Sequence, residues 1–180
     1  RINMPDVAKQ TQAKVSGSLN RVGMSEVEIP VQIRNGQGTV RLLPAKGDFY
    51  VSLDRDEAKG IHMSRLFILA EKLLSEEELN AFTVETLLGE FLKSHEGLSE
   101  EAYVKLKFDY IVKRPALITE NEGWRYYKAA LGGKQKRGKK TQIEMSIRIT
   151  YSSTCPCSAA LARQLIQKKF IEDFENKNSI

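Results

Sequence analysis

The stretch Val27-Glu28-Ile29-Pro30-Val31-Gln32-Ile33-Arg34, followed by Asn35-Gly36-Gln37-Gly38, sets the fold class. Apolar side chains at 27, 29, 31 and 33 alternate with polar ones, the period of a strand with one buried face. The Asn/Gly run after it is turn chemistry, so the segment reads as strand, turn, strand. The return passes Val40, Leu42, Pro44 and Gly47 into Phe49, Val51 and Leu53, again at period two.

Downstream the period changes. Leu66, Leu69, Ala70, Leu73 and Leu74 form one helical stripe, and a second pattern follows Thr83 with Val84, Leu87, Leu88 and Phe91, Glu85 lying in its first turn. Strands then resume. Val104, Leu106, Phe108 and Tyr110 alternate with charged residues, as do Ile143, Met145, Ile147 and Ile149 with polar ones. Trp124 to Leu131 is expected to pair with this last strand through a basic tip. The order of strands, two helices and strands predicts an α+β domain, with helices on one face of an antiparallel sheet. A third helical pattern past Ser158 carries Leu161, Leu165, Ile166 and Phe170.

The first 24 residues are polar and unpatterned and read as a flexible lead-in. With no apolar core of a secretory leader at the amino terminus and no run near the ~18 apolar residues of a membrane helix, a cytoplasmic protein is expected. Across 180 residues the net charge is +5. Lys134, Lys136, Arg137, Lys139 and Lys140 account for all of it, within Gly132 to Lys140. A glycine-punctuated basic run without an aromatic reads as a solvated hairpin tip rather than a phosphate contact.

The two cysteines stand in Thr154-Cys155-Pro156-Cys157-Ser158. A disulfide across that spacing would be badly strained, and the spacing is not the Cys-x-x-Cys of redox or zinc-ribbon sites. Reduced thiols at a strand-to-helix junction remain, where free amides and the helix dipole favour a thiolate suited to metal ligation or nucleophilic attack. Two small buried residues at a tight corner is the competing reading. His62, in Lys59-Gly60-Ile61-His62-Met63-Ser64-Arg65, opens the first helix; with Gly60, Ser64 and Arg65 it makes a candidate anion cradle, the alternative being a capping or packing histidine. His95, in Ser94-His95-Glu96-Gly97, reads as exposed.

Taken together, Lys59 to Arg65, Ser153 to Ser158 and the opening Val22-Gly23-Met24-Ser25 with Glu28-Ile29-Pro30-Val31 resemble the signature segments of the type IB GTP cyclohydrolases, from about residue 20 to the end. The resemblance implies a tunnelling fold, bimodular in the complete protein: residues 25–154 as a first module and 155–180 as the start of a second. It implies hydrolysis of GTP to dihydroneopterin triphosphate and formate, the entry to folate and in some bacteria to queuosine. It further implies a divalent metal, zinc or manganese, with Cys155 rather than Cys157 as ligand and catalytic cysteine, substrate contacts from His62 and Arg65, and a homo-oligomer. In that family a histidine ligand, a carboxylate ligand and a purine-anchoring glutamate come later than Ile180, so residues 1–180 alone are not expected to turn over GTP. The rival from another class is a binding module whose basic loop contacts nucleic acid, which the shortage of stacking aromatics beside the lysines disfavours.

Overall fold

The computed structural model describes residues 17–55, 58, 60–115 and 121–177. Five strands form one antiparallel sheet in chain order: β1 (Leu19–Arg34), β2 (Val40–Leu53), β3 (Glu101–Pro115), β4 (Glu122–Lys136) and β5 (Gln142–Arg148). Between β2 and β3 run helices α1 (Met63–Glu76) and α2 (Ala81–Ser94). The fold is α+β, as the change of period from two to 3.6 and back indicates.

One hydrophobic core lies between α1, α2 and one face of the sheet. Leu66, Ala70 and Leu74 of α1 and Val84, Leu87, Leu88, Phe91 and Leu92 of α2 meet Ile29 and Val31 of β1, Leu43 to Val51 on alternate positions of β2, and Ala102, Val104 and Leu106 of β3. Phe49 and Phe91 meet edge to face with ring centroids 6.0 Å apart. The opposite sheet face carries charged side chains and an open groove.

Three local features depart from the sequence reading. Strand β1 starts at Leu19, so Leu19 to Met24 are strand rather than lead-in; residues 1–16 lie outside the described residues. The alternation is hidden there by register shifts between Leu19 and Val22 and between Met24 and Val27, each inverting which side chains face inward. Strand β2 is continuous, and in its first half the inward residues are Leu43 and Ala45, while Val40 and Leu42 face solvent. Pro30 and Pro44 pair across β1 and β2 without disrupting the sheet, because β1 is an edge and pairing of β2 with β3 begins only at Ala45. Helix α2 opens at Ala81, two residues before the Thr83 that the sequence pattern follows, and is capped by Asn80, whose side-chain oxygen accepts the Thr83 N–H at 3.0 Å.

Residues from Ile149 form a second unit, described by itself, whose helix α3 (Pro156–Lys177) begins with a proline at its first position. The third helical pattern is thus present, opening two residues earlier than Ser158.

Candidate functional site

Cys155 sits immediately before α3. Its backbone oxygen accepts the Ala159 N–H at 3.0 Å, so the residue occupies the cap position. Its Sγ accepts the Ser158 N–H at 3.3 Å and lies 3.0 Å from the Ser158 hydroxyl. A side-chain acceptor facing the first-turn amides is the geometry of an N-cap, here with sulfur in place of oxygen. The Ser158 hydroxyl, then the Ser158 amide, hold the thiol below its ordinary range by favouring the thiolate. Both thiols are free and exposed, which sets aside the reading of two buried small residues.

His62 lies at the start of α1, but its ring makes no capping bond. The capping alternative therefore fails, for the backbone at φ −85°, ψ 85° is not the extended conformation that turns a side chain back over the first amides. The ring instead faces His95, with centroids 6.4 Å apart. Arg65, one turn on, donates from Nη1 to the Ser94 carbonyl at 2.9 Å, tying the start of α1 to the end of α2. One guanidinium nitrogen of the expected anion cradle is thus already engaged by the fold.

His95 is not exposed: it is 1% accessible. The chain turns sharply after α2, with Leu98 and Ser99 N–H both donating to the His95 carbonyl, and the turn folds the imidazole inward. Its Nδ1 lies 3.0 Å from the Phe91 carbonyl and 2.9 Å from the Ser94 hydroxyl. Burial holds the imidazole below its usual range, and the nearby Arg65 charge acts in the same direction. His62, Arg65, Ser94 and His95 therefore gather at one corner, all four within the segments quoted around the two histidines.

Residues Lys128 to Lys134 of β4 pair with Gln142 to Arg148 through the basic tip, as expected. Arg137 departs from the solvated reading. Its Nη2 donates to the carbonyls of Leu92 and Ser99, each at 3.0 Å, and its Nε lies 3.5 Å from a Glu100 carboxylate oxygen.

A second charged cluster escaped sequence reasoning altogether. Glu26 has φ 56°, the one non-glycine residue with positive φ among those described, at the second bulge of β1. Its N–H donates to Asp48 Oδ1 at 3.0 Å, and its carboxylate pairs with Lys107 and, at 3.2 Å, with Lys46. Lys107 also reaches Asp48 at 3.1 Å. Lys107 foremost keeps the Glu26 carboxyl below the usual carboxylate range. The cluster stands on the groove face, whose walls include Pro30, Leu42, Lys46, Lys107, Lys128 and Arg148. The bulge that places Glu26 beside Lys46, Asp48 and Lys107 is a feature of strand register, which sequence does not reveal.

Among the described residues no three His, Cys, Asp or Glu side chains gather to hold a metal. The donor chemistry at Cys155, an exposed thiol biased toward thiolate, fits a single soft metal ligand and not a complete site.

A family model described as type I GTP cyclohydrolase folE2 matches residues 4–176. The chain belongs to this family. It is 44% identical over 175 residues to the GTP cyclohydrolase FolE2 of Hydrogenovibrio crunogenus, covering 97% of this chain and 56% of that protein. It is 42% identical over 174 residues to the FolE2 of Pseudoalteromonas translucida, covering 97% and 57%. To that of Bdellovibrio bacteriovorus it is 41% identical over 172 residues, covering 96% and 56%. The chain thus spans a little over half the length of the curated relatives it matches. No described helix is long and apolar enough to cross a membrane.

Proposed function

We propose that this chain is the amino-terminal and central part of a type IB GTP cyclohydrolase, which hydrolyses GTP to 7,8-dihydroneopterin 3′-triphosphate and formate at the start of folate or related pterin synthesis. Family membership supports the reaction class. The single structural observation that carries the reading is the thiol of Cys155, held at a helix start by Ser158 and shifted toward thiolate.

In this reading Cys155 is the catalytic cysteine and one ligand of a divalent zinc or manganese ion. When bound, such an ion lowers the pKa of a water toward neutrality for attack on the purine C8. The remaining ligands come from chain beyond residue 180, or from another copy in a homo-oligomer, so residues 1–180 do not catalyse by themselves. Ser158 holds the Cys155 thiol below its ordinary range through its hydroxyl and its amide, favouring the thiolate. Arg65, whose Nη1 donates to the Ser94 carbonyl, and His62 at the start of the same helix are assigned to the substrate phosphate. His95 supports that corner from below as a neutral, buried imidazole.

The test uses the full-length protein with GTP, following formate and the fluorescent oxidised pterin, with and without a chelator. Formate in stoichiometric amount with pterin, lost on chelation and restored by zinc or manganese, is the expected result. Salt-sensitive binding of unrelated DNA or RNA with no formate release would instead favour the binding-module reading.

A further inference from the structure

The end of α2 carries a side chain that a hydrophobic core does not need. The Phe91 carbonyl accepts the Ser94 hydroxyl at 3.0 Å and the His95 N–H at 3.2 Å, and His95 Nδ1 lies 3.0 Å from the same oxygen. A carbonyl oxygen only accepts, so these partners assign the ring proton to Nδ1. The Ser94 hydroxyl, its own proton turned to Phe91, accepts from Nδ1 as well, at 2.9 Å. Nε2 is left with a bare lone pair. Burial disfavours the charged ring more than the Phe91 and His62 backbones favour it, and Nε2 completes no hydrogen bond among the described residues. An unpaired buried acceptor costs stability that a leucine of similar volume does not. A polar side chain kept on those terms marks a place where position outranks stability.

Two routes lead from this ring to the residues assigned to substrate phosphate. Through Ser94 it reaches Arg65: Nδ1–H holds the Ser94 hydroxyl, and the carbonyl of the same residue accepts Arg65 Nη1 at 2.9 Å. Directly it meets His62, whose ring lies 6.4 Å away between centroids and is tilted by 44°. The two targets are themselves joined, since the His62 carbonyl accepts the Arg65 N–H at 3.0 Å. Carbonyls at a helix end lack partners within the helix, and the last turn frays unless something ties it. Here the tie is the Nδ1–H of His95, and what it steadies is the acceptor for Arg65.

We propose that His95 is a positioning residue for phosphate binding: its Nδ1–H fixes the last turn of α2, so that Arg65 and His62 meet the substrate phosphate in one arrangement. The proposal rests on the assignment of those two residues to phosphate. His95 itself, 1% accessible, touches no substrate. Its loss therefore weakens GTP binding and leaves the chemical step at Cys155 alone.

The experiment uses the full-length protein with His95→Leu, His95→Met, His95→Asn, Arg65→Ala, and Arg65→Ala combined with His95→Leu. Leucine and methionine keep the volume without a donor, whereas asparagine carries an amide N–H where Nδ1–H stood. Steady-state kinetics give KM and kcat for GTP, and equilibrium dialysis after chelation gives the Kd of GTP without turnover. Both apolar variants are expected to raise KM and Kd about tenfold or more with kcat within about twofold, and His95→Asn to keep all three within about twofold. Losses that pass through Arg65 do not multiply, so the double variant should weaken Kd by less than the product of the two single losses. Val84→Ala, a buried residue at the opposite end of α2, should lower the melting temperature and leave KM and Kd in place. Unchanged Kd in the apolar variants, the same weakening in Val84→Ala, or single losses that multiply would overturn the proposal. His95→Asn as weak as His95→Leu overturns the role given to Nδ1–H. If Arg65→Ala binds GTP like the parent, the phosphate assignment itself falls; a weak Arg65→Ala beside unchanged His95→Leu and His95→Met removes this inference alone.

Discussion

Within the run from Lys134 to Lys140, one residue is expected to behave unlike its neighbours. Arg137 binds two carbonyls, that of Leu92 in the last turn of α2 and that of Ser99 just past it, both at 3.0 Å, and its own N–H donates to Glu100. It thereby clasps the β4–β5 hairpin to the end of α2, where helix carbonyls otherwise lack partners. Hydrogen bonds from a charged donor contribute ~1.5–3 kcal/mol each in sheltered positions. With the side chain 36% accessible, the pair together is discounted to about 2 kcal/mol. Replacing Arg137 by Ala should lower unfolding free energy by about that amount, whereas Lys134, Lys139 and Lys140 changed together to Ser should stay within ~0.5 kcal/mol of the parent. Urea denaturation of the full-length protein, followed by circular dichroism with the slopes compared, reads both. A loss below ~0.5 kcal/mol for Arg137→Ala, or an equal loss for the triple lysine variant, would refute the clasp and return the whole run to a solvated tip.

Three further outcomes follow from the sites. His95 is buried with its protonation disfavoured, so the unfolded chain binds a proton that the folded one resists; stability should fall as pH drops below about 6.5, and His95→Gln should flatten that slope in denaturation measured from pH 7 to 5. In Ser158→Ala the Cys155 thiolate loses its hydroxyl donor, so the pH midpoint of Cys155 alkylation, read by peptide mass, should move upward; an unmoved midpoint contradicts the assigned cause. Arg65→Ala should reduce kcat/KM for GTP at least tenfold, equivalent to ~1.4 kcal/mol, beyond whatever melting shift the lost Ser94 contact produces. A melting shift with unchanged kcat/KM would leave Arg65 as a strut between α1 and α2.

What sequence revealed and what it hid divide along physical lines. Alternation at Val27 to Ile33 and the helical stripe of Leu66 to Leu74 record burial directly, because each side chain's environment repeats with its element's period. Leu19 to Met24 lost that record where the bulges of β1 change the inward parity, and Val40 and Leu42 misled because the arm of β2 they occupy extends beyond its pairing with β3. Cys155 was legible, since a helix start favours a thiolate whatever the tertiary context. His95, Arg137 and the cluster of Glu26 with Lys107 were not. Their roles depend on a sharp turn, on carbonyls 38 and 45 residues away and on a pair 81 residues apart, and no local pattern encodes such distances.

The central claim is that Cys155 is the metal-holding catalytic cysteine, and its most direct test is metal content per protomer measured alongside formate release in full-length Cys155→Ala and Cys157→Ala. The account predicts that Cys155→Ala loses both bound metal and formate release, while Cys157→Ala keeps its metal and at least part of its turnover. Full metal content and full activity in Cys155→Ala would contradict it.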